Sequence, residues 1–406
     1  MSKQPARSRQ QRNAKPDIPA PILVQSAREF SEMMSRVRTQ SLVAVDTESD
    51  SLYRYTPRVC LIQVSACNDT QNGAHNGAKH SDVVDYLVDP LKLNDLGALG
   101  DVLADPAVEV ILHAAENDIL LLNRDFGFET TNVFDTQLAA RILGRNGVGL
   151  AAMLEEEFGV ISDKRMQRTD WGRRPLTPQQ MTYAQLDTHY LPALRRRQIE
   201  RLTAQDRLRE AQEAFDFLCQ IRYSEPAEPR NLWSMKGTRE VEREQTGLLE
   251  ELWLWREQTA QRQERPPFKV VNDRVLIELA LNPPSSLREL GEIPGLSRHQ
   301  VDRYGSEILR AVHRGKDRPL PDLPVSSPRP EALLNRRDQK LYQSLRQWRS
   351  ATAGERGVDP DIIFSNDLLL QIVEHKPATV EALVAIPAIG AWKAETYGPS
   401  ILQLLK

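Results

Sequence analysis

The chain has 406 residues, too many for one ordinary domain and suited to two to four. Hydrophobic residues make up 40%, charged residues 27%, and the net charge is −3, so the sequence can build real cores but carries no general basic excess. That excludes nucleic-acid binding by bulk charge and leaves room only for a local basic patch. No run approaches about 18 apolar residues, which argues against a membrane span. The N-terminus lacks the apolar core of a secretory signal. The three cysteines, Cys60, Cys67 and Cys219, form no Cys-x-x-Cys pair. An odd, scattered set points away from a disulfide framework or zinc site and towards a reducing cytoplasm.

Taken in chain order, residues 1–20 read as a polar, disordered tail, with Lys3, Arg7, Arg9, Arg12 and Lys15 against Asp17. The alternative is an auxiliary nucleic-acid contact. Residues 21–225 read as one domain, in which residues 41–135 alternate strand and helix signals. Apolar, β-branched runs predict strands over Leu42–Val45, Val59–Ser65, Val83–Val88 and Val108–Leu112. A helical pattern surrounds Leu96, Leu99 and Leu103. This order predicts a mixed sheet flanked by helices. Asn68–Asp82 holds the turn pairs Asn72-Gly73 and Asn76-Gly77 and reads as an enlarged hairpin loop. From Gly149 to about Leu218 the pattern is helical. Leu150, Met153, Leu154 and Phe158 share one face, and Tyr183, Leu186, Tyr190 and Leu194 share a face of a later helix.

The remainder contains an internal repeat. Leu248, Leu252, Trp255 and Arg256 return as Leu341, Leu345, Trp348 and Arg349, at an offset of 93. Ile293-Pro294 and Tyr304-Gly305 return at the same offset, and Asn272-Asp273 returns as Asn366-Asp367 at 94. Each copy reads as a small all-α bundle, over 226–316 and 334–406. The linker over 317–333 carries Pro319, Pro321, Pro324, Pro328 and Pro330 and should be extended and stiff.

Three short patterns carry chemistry. In Asp46-Thr47-Glu48 the two acids, two apart on a strand, point to one side. They repel unless a cation sits between them, and a divalent metal takes oxygen ligands. Tyr183 and Asp187, four apart on a helix, share a face. Asp118 follows a strand end at His113 and falls in the first turn of a helix, where the macrodipole alone accounts for an acid. Each pattern alone has a bland reading as a solvated strand end, a helix surface pair or a helix-start acid.

Together, and in this order, they resemble the DEDD exonuclease superfamily with a catalytic tyrosine, and within it the bacterial ribonuclease D family. Further matching stretches are Leu61-Ile62-Gln63, His113-Ala114, Phe134-Asp135-Thr136-Gln137, Thr169-Asp170-Trp171 and Arg174-Pro175-Leu176-Thr177. The repeated bundles resemble HRDC domains. The resemblance implies an α/β, ribonuclease H-like exonuclease domain followed by two HRDC-like helical bundles. It implies a 3′→5′ exoribonuclease that acts on RNA, with 3′-extended tRNA precursors as the family's substrates. It also implies two divalent ions, Mg²⁺ or Mn²⁺, that clamp the scissile phosphate. Asp46 should bridge the ions, Glu48 and Asp187 hold the one beside the attacking water, Asp118 help to hold the other, and Tyr183 orient the water. His113 either packs under the site or touches substrate, and Asp135 should cap a helix.

The connector Asp163–Arg174 sets Lys164, Arg165, Arg168, Arg173 and Arg174 against Asp163 and Asp170. It reads either as an exposed loop or as a grip on phosphates, which would give affinity and register without base specificity. Trp255, Trp348, Tyr304 and Tyr397 read as bundle core. Residues 334–406 hold nine Lys/Arg and eight Asp/Glu, a poor electrostatic grip. A DNA exonuclease and a non-catalytic nucleic-acid scaffold are the alternative functions. Nothing resembles an oligomerisation seam, so a monomer is expected.

Overall fold

The structure, a computed structural model, describes residues 18–67, 83–225, 231–323, 331 and 334–406. Most of the polar tail, the Asn68–Asp82 loop and part of the proline-rich linker lie outside these residues. The chain forms two compact units. One contains the exonuclease segment and the second helical bundle. The other contains the first bundle together with Asp50–Arg58.

In the exonuclease segment six strands among the described residues form one sheet: β1 (Ile22–Val24), β2 (Leu42–Ser49), β3 (Val59–Cys67), β4 (Val83–Val88), β5 (Glu109–Leu112) and β6 (Val133–Asp135). Their order is β1-β4-β3-β2-β5-β6, with β3 antiparallel to both neighbours and the other pairs parallel. The four expected strands are present. β1 and β6, three residues each, had too few residues to show a period. β2 does not end at Asp46 but runs on to Ser49, with a register shift after Glu48.

The sheet is covered on both faces. Val43 and Val45 point towards α1 (Ala27–Val37), α2 (Gly97–Leu103) and α3 (Glu116–Phe126). Ala44 points the other way, towards α4 (Thr136–Ile142), α5 (Leu150–Phe158), α7 (Leu191–Ala204) and α8 (Leu208–Leu218). Because strand side chains alternate, Asp46 and Glu48 leave β2 on Ala44's side, where the core gives way to a cleft. α6 (Pro178–His189) lies against β2, β3 and β4. The single helix expected through Tyr190 and Leu194 is two: α6 stops at His189, and α7 starts at Leu191 with Pro192 in its first turn, where a missing N–H costs nothing.

The first bundle consists of α9 (Thr246–Arg262), α10 (Pro267–Val270), α11 (Asp273–Leu281), α12 (Leu287–Leu290) and α13 (Arg298–Lys316). The second repeats it as α14 (Arg336–Arg356), α15 (Pro360–Ile363), α16 (Asn366–His375), α17 (Val380–Val384) and α18 (Ala391–Leu405). The repeat holds in detail. Trp255 meets Tyr304 edge-on at 5.9 Å, and Trp348 meets Tyr397 edge-on at 5.8 Å. Arg256 donates to the Val271 carbonyl, and Arg349 to that of Phe364. The offset of 94 at Asn366 does not mark equivalent positions. The cap of α11 is Asn272, and its counterpart on α16 is Ser365, at 93.

Tyr55 packs on the first bundle's core, and Lys269 sits over the Tyr53 ring at 3.5 Å. The start of the proline-rich segment is also bound to this bundle. Trp233 donates to the Asp322 carbonyl and Arg243 to that of Pro321, so a free spacer can begin only beyond residue 322. The second bundle is joined to the exonuclease core. Ile362 is buried among Phe134, Leu194 and Phe215, Arg141 makes two bonds of 2.6–2.8 Å to Asp361, and Arg356 pairs with the buried Glu210.

Candidate active site

Three elements deliver the acids to one cleft of about 770 Å³, lined among others by Asp46, Glu48, His113, Asp118, Lys164, Gln167, Tyr183 and Asp187. β2 supplies Asp46 and Glu48. Opposite Asp46 on β3 stands the buried Gln63, whose side-chain amide donates to Asp46 Oδ2 at 3.3 Å.

α3 supplies Asp118, and its start is held by Asp135. The Asp135 carboxylate caps α4 at Gln137 (2.7 Å) and Leu138 (3.1 Å), as the sequence implied. It also accepts from the N–H groups of Ala114 (3.0 Å) and Ala115 (2.9 Å). Ala114 has φ +60°, a left-handed conformation that disfavours a Cβ. Asp135 therefore braces a sharp bend between β5 and α3 and aims Asp118 inwards. Asp118 accepts from the Thr47 N–H at 3.1 Å and from the Thr47 hydroxyl.

α6 supplies Tyr183 and Asp187. A capping box between Thr177 and Gln180, with Pro178 at the first helical position, fixes where it begins. Trp171 packs beside Tyr183 with ring centres 6.1 Å apart. Tyr183 lines the cleft together with Asp187 and Gln167. The far side of α6 is fixed by a buried network that the sequence reading missed. Asp85 accepts from Gln185 (2.6 Å), His189 (2.8 Å) and Ser65 (2.6 Å), and Ser65 also reaches Thr188 (2.7 Å). These partners come from β3, β4 and α6 and have no sequence spacing in common.

One oxygen each from Asp46, Glu48 and Asp187 can lie within 4.8 Å of the others, a spacing that suits a cation. Asp118 stands apart from this trio, on Thr47. Burial, followed by the neighbouring carboxylates, pushes Asp46, Glu48 and Asp187 well above the usual carboxylate range. Burial raises Asp118 to about 6 against its bonds from Thr47. Asp187 Oδ2 is buried and has no hydrogen-bond partner among the described residues. A buried carboxylate oxygen left bare costs free energy that a bound cation would recover. The donor set is all oxygen, as hard divalent ions require. The residues present therefore fit a divalent metal.

Of the five connector cations, only Lys164 lines the cleft. Arg165 pairs with Asp163 in the open, and Arg168 and Arg173 are exposed. Arg174 is not a substrate contact. Its guanidinium is held by Asp89 (2.6 and 2.8 Å) and by the carbonyls of Cys60 (2.7 Å) and Trp171 (2.7 Å). It pins the connector to β3 and β4.

A model of the 3′-5′ exonuclease family matches residues 21–200, and a model of the HRDC domain matches residues 245–312 and 338–405. Ribonuclease D of Granulibacter bethesdensis is 29% identical, covering 97% of this chain and 94% of its own length. The chain is an exonuclease of the ribonuclease D kind. Ribonuclease D of Gluconacetobacter diazotrophicus is 28% identical over 97% of this chain and 95% of its own. Among solved structures, Escherichia coli RNase D, described as an exoribonuclease involved in structured RNA processing, superposes with a TM-score of 0.60 at 25% identity, covering 95% of this chain and 98% of that one. A Bifidobacterium adolescentis protein shares the fold at a TM-score of 0.73 and 22% identity, covering 96% and 99%. The activity is metal-dependent 3′→5′ exoribonuclease hydrolysis, with RNA as the substrate.

Proposed function

We propose that this enzyme shortens structured RNAs, 3′-extended tRNA precursors foremost, by two-metal hydrolysis that releases 5′-mononucleotides. The observation that carries the proposal is the convergence of Asp46, Glu48 and Asp187 around a bare, buried Asp187 oxygen, with Asp118 lining the same cleft. Asp46, Glu48 and Asp187 would hold one Mg²⁺ or Mn²⁺. Asp118, released from Thr47, would hold a second with Asp46. Such ions lower the pKa of bound water and stabilise the leaving 3′ oxygen.

The chain's own groups do the rest. The Tyr183 hydroxyl, in the same cleft as Asp187 and Gln167, would donate to the attacking water or to a phosphate oxygen. We assign it orientation rather than proton abstraction. Lys164 on the cleft wall is the proposed phosphate contact, and Arg165, Arg168 and Arg173 are proposed to guide the strand from outside. No described helix is long and apolar enough to cross a membrane. We propose a cytoplasmic monomer.

The test is incubation of the purified protein with 3′-tailed RNA and with matched DNA, in Mg²⁺, in Mn²⁺ and in chelator. Stepwise loss of 5′-mononucleotides from RNA, stopped by chelator and abolished in a folded Asp46→Asn protein, is the expected result. Faster loss from DNA would keep the chemistry and overturn the substrate. Substantial residual activity in Asp46→Asn would overturn the site.

A further inference from the structure

His113 follows the last residue of β5 and lines the same cleft as the four acids. Its hydrogen bonds fix which ring nitrogen carries the proton. Nδ1 lies 3.0 Å from the Thr136 hydroxyl, and that hydroxyl lies 3.1 Å from the Leu112 carbonyl. Thr136 has one hydroxyl proton, and a carbonyl can only accept. Both contacts are hydrogen bonds only if Thr136 donates to Leu112 and accepts from an Nδ1–H. The reverse choice would set two oxygen lone pairs against each other at 3.1 Å. Thr136 cannot turn away, because it is fully buried at the start of α4.

Nε2 of His113 is therefore a lone-pair acceptor, and it has no partner among the described residues. The ring stays neutral at working pH, since burial lowers its pKa to about 4 even with Asp135 nearby. The acids that share the cleft, once ionised around bound cations, would also be acceptors only. A ligand that satisfies Nε2 must bring a donor or be a metal ion, and a hard divalent ion is better served by the oxygens of the acids. A phosphodiester brings no donor. Each base does carry an N–H donor, but at a different place on its edge, N3–H in uracil and the N6 amino group in adenine. The donor that every RNA 3′ end carries in the same place, whatever its base, is a hydroxyl of its last ribose.

We infer that His113 Nε2 accepts a hydrogen bond from a ribose hydroxyl of the substrate's 3′-terminal nucleotide. The inference rests on the exoribonuclease reading and deepens it. It makes His113 a specificity-determining contact that reads the sugar and is indifferent to the base.

The experiment uses the full chain with Mg²⁺ and short RNA strands that differ only in the last nucleotide: ribose, 2′-deoxy or 3′-deoxy. Single-turnover removal of that nucleotide is compared in wild type, His113→Phe and His113→Gln. Wild type should favour the ribose end over one deoxy end by about tenfold, the scale of one hydrogen bond. His113→Phe should bring that ratio close to one. His113→Gln, which keeps a carbonyl acceptor, should restore part of it. The deoxy end that loses its discrimination identifies the hydroxyl. Unchanged ratios in both variants overturn the inference and leave the exoribonuclease reading intact. A ratio that follows the terminal base instead of the sugar also overturns it, in favour of a base contact. If His113→Phe does not fold, the same comparison between wild type and His113→Gln decides. Failure of wild type to shorten any strand removes the exoribonuclease reading and this inference with it.

Discussion

In the first bundle the Tyr304 hydroxyl donates to Gln263 at 2.8 Å, and α13 is capped by its own Ser297. In the second, 93 residues on, Gln263 is replaced by Arg356 and Ser297 by Gly390. Arg356 still meets its tyrosine, Tyr397, but its other amino group reaches Glu210 on α8 of the exonuclease domain. α18 has no side-chain cap of its own. Glu213, also on α8, supplies one by accepting from the N–H groups of Trp392 (2.6 Å) and Lys393 (3.1 Å). Gly390 makes room for it, since a Cβ there would lie 2.1 Å from the Glu213 carboxyl carbon. Two substitutions in a shared frame have turned a bundle that satisfies its own helix ends into one whose ends are satisfied by the nuclease. Fold similarity between repeats fixes the core and leaves the partner to be decided by a few polar positions.

The largest effect should come from Arg356→Ala. It leaves Glu210, 1% exposed, as a buried charge without its partner. The expected loss is about 3 kcal/mol of stability, with the second bundle more open to protease. The matching change in the first bundle, Gln263→Ala, removes the neutral bond from Tyr304 and an exposed one from Arg303, leaves no buried charge, and should cost about 1 kcal/mol. Equal losses in urea unfolding would erase the distinction drawn between the bundles.

Glu213→Ala comes next, at about 1–2 kcal/mol for the lost cap. Gly390→Ser offers a cap of the Ser297 kind while displacing Glu213. In that background Glu213→Ala should cost less than half as much, a coupling that a double-mutant cycle reads directly. Additive costs would mean that Glu213 does not act as the cap. Ser297→Ala, the mirror change in the first bundle, should cost about 1 kcal/mol and show no coupling to position 213.

The smallest effect is a gain. Gly295 takes φ +83° in the first bundle, and its counterpart Ala388 takes φ +63°. Ala388→Gly should stabilise the second bundle by about 0.5–1 kcal/mol through relief of the left-handed Cβ contact. A loss on thermal unfolding would mean that the Ala388 methyl is worth more than the strain.

The sequence exposed what is periodic or local. Asp46 and Glu48 showed as a strand pair, Tyr183 and Asp187 as a helix pair, Asp135 as a cap, and the bundles as a repeat at 93. It hid what depends on meetings between distant segments. Asp85 on β4 collects Ser65 from β3 and Gln185 and His189 from α6. Arg174 looked like a free cation in a basic connector, because Asp89, its partner, stands on the far side of a long sequence gap. The pairing of Glu213 with α18 was invisible for the same reason, although Gly390 in place of a capping residue was a local sign that something else had to fill the position.

Ile362 carries a consequence for how the protein is made. Synthesis runs from the N-terminus, and domains generally fold as they emerge. Here the exonuclease core around Phe134, Leu194 and Phe215 is completed by a side chain that is synthesised only after the first bundle. The nascent nuclease therefore waits with an apolar surface uncovered while the first bundle is still being made. A chain cut short after that bundle would retain its four acids yet expose a sticky face, a state for chaperones and proteases to recognise before it could reach RNA.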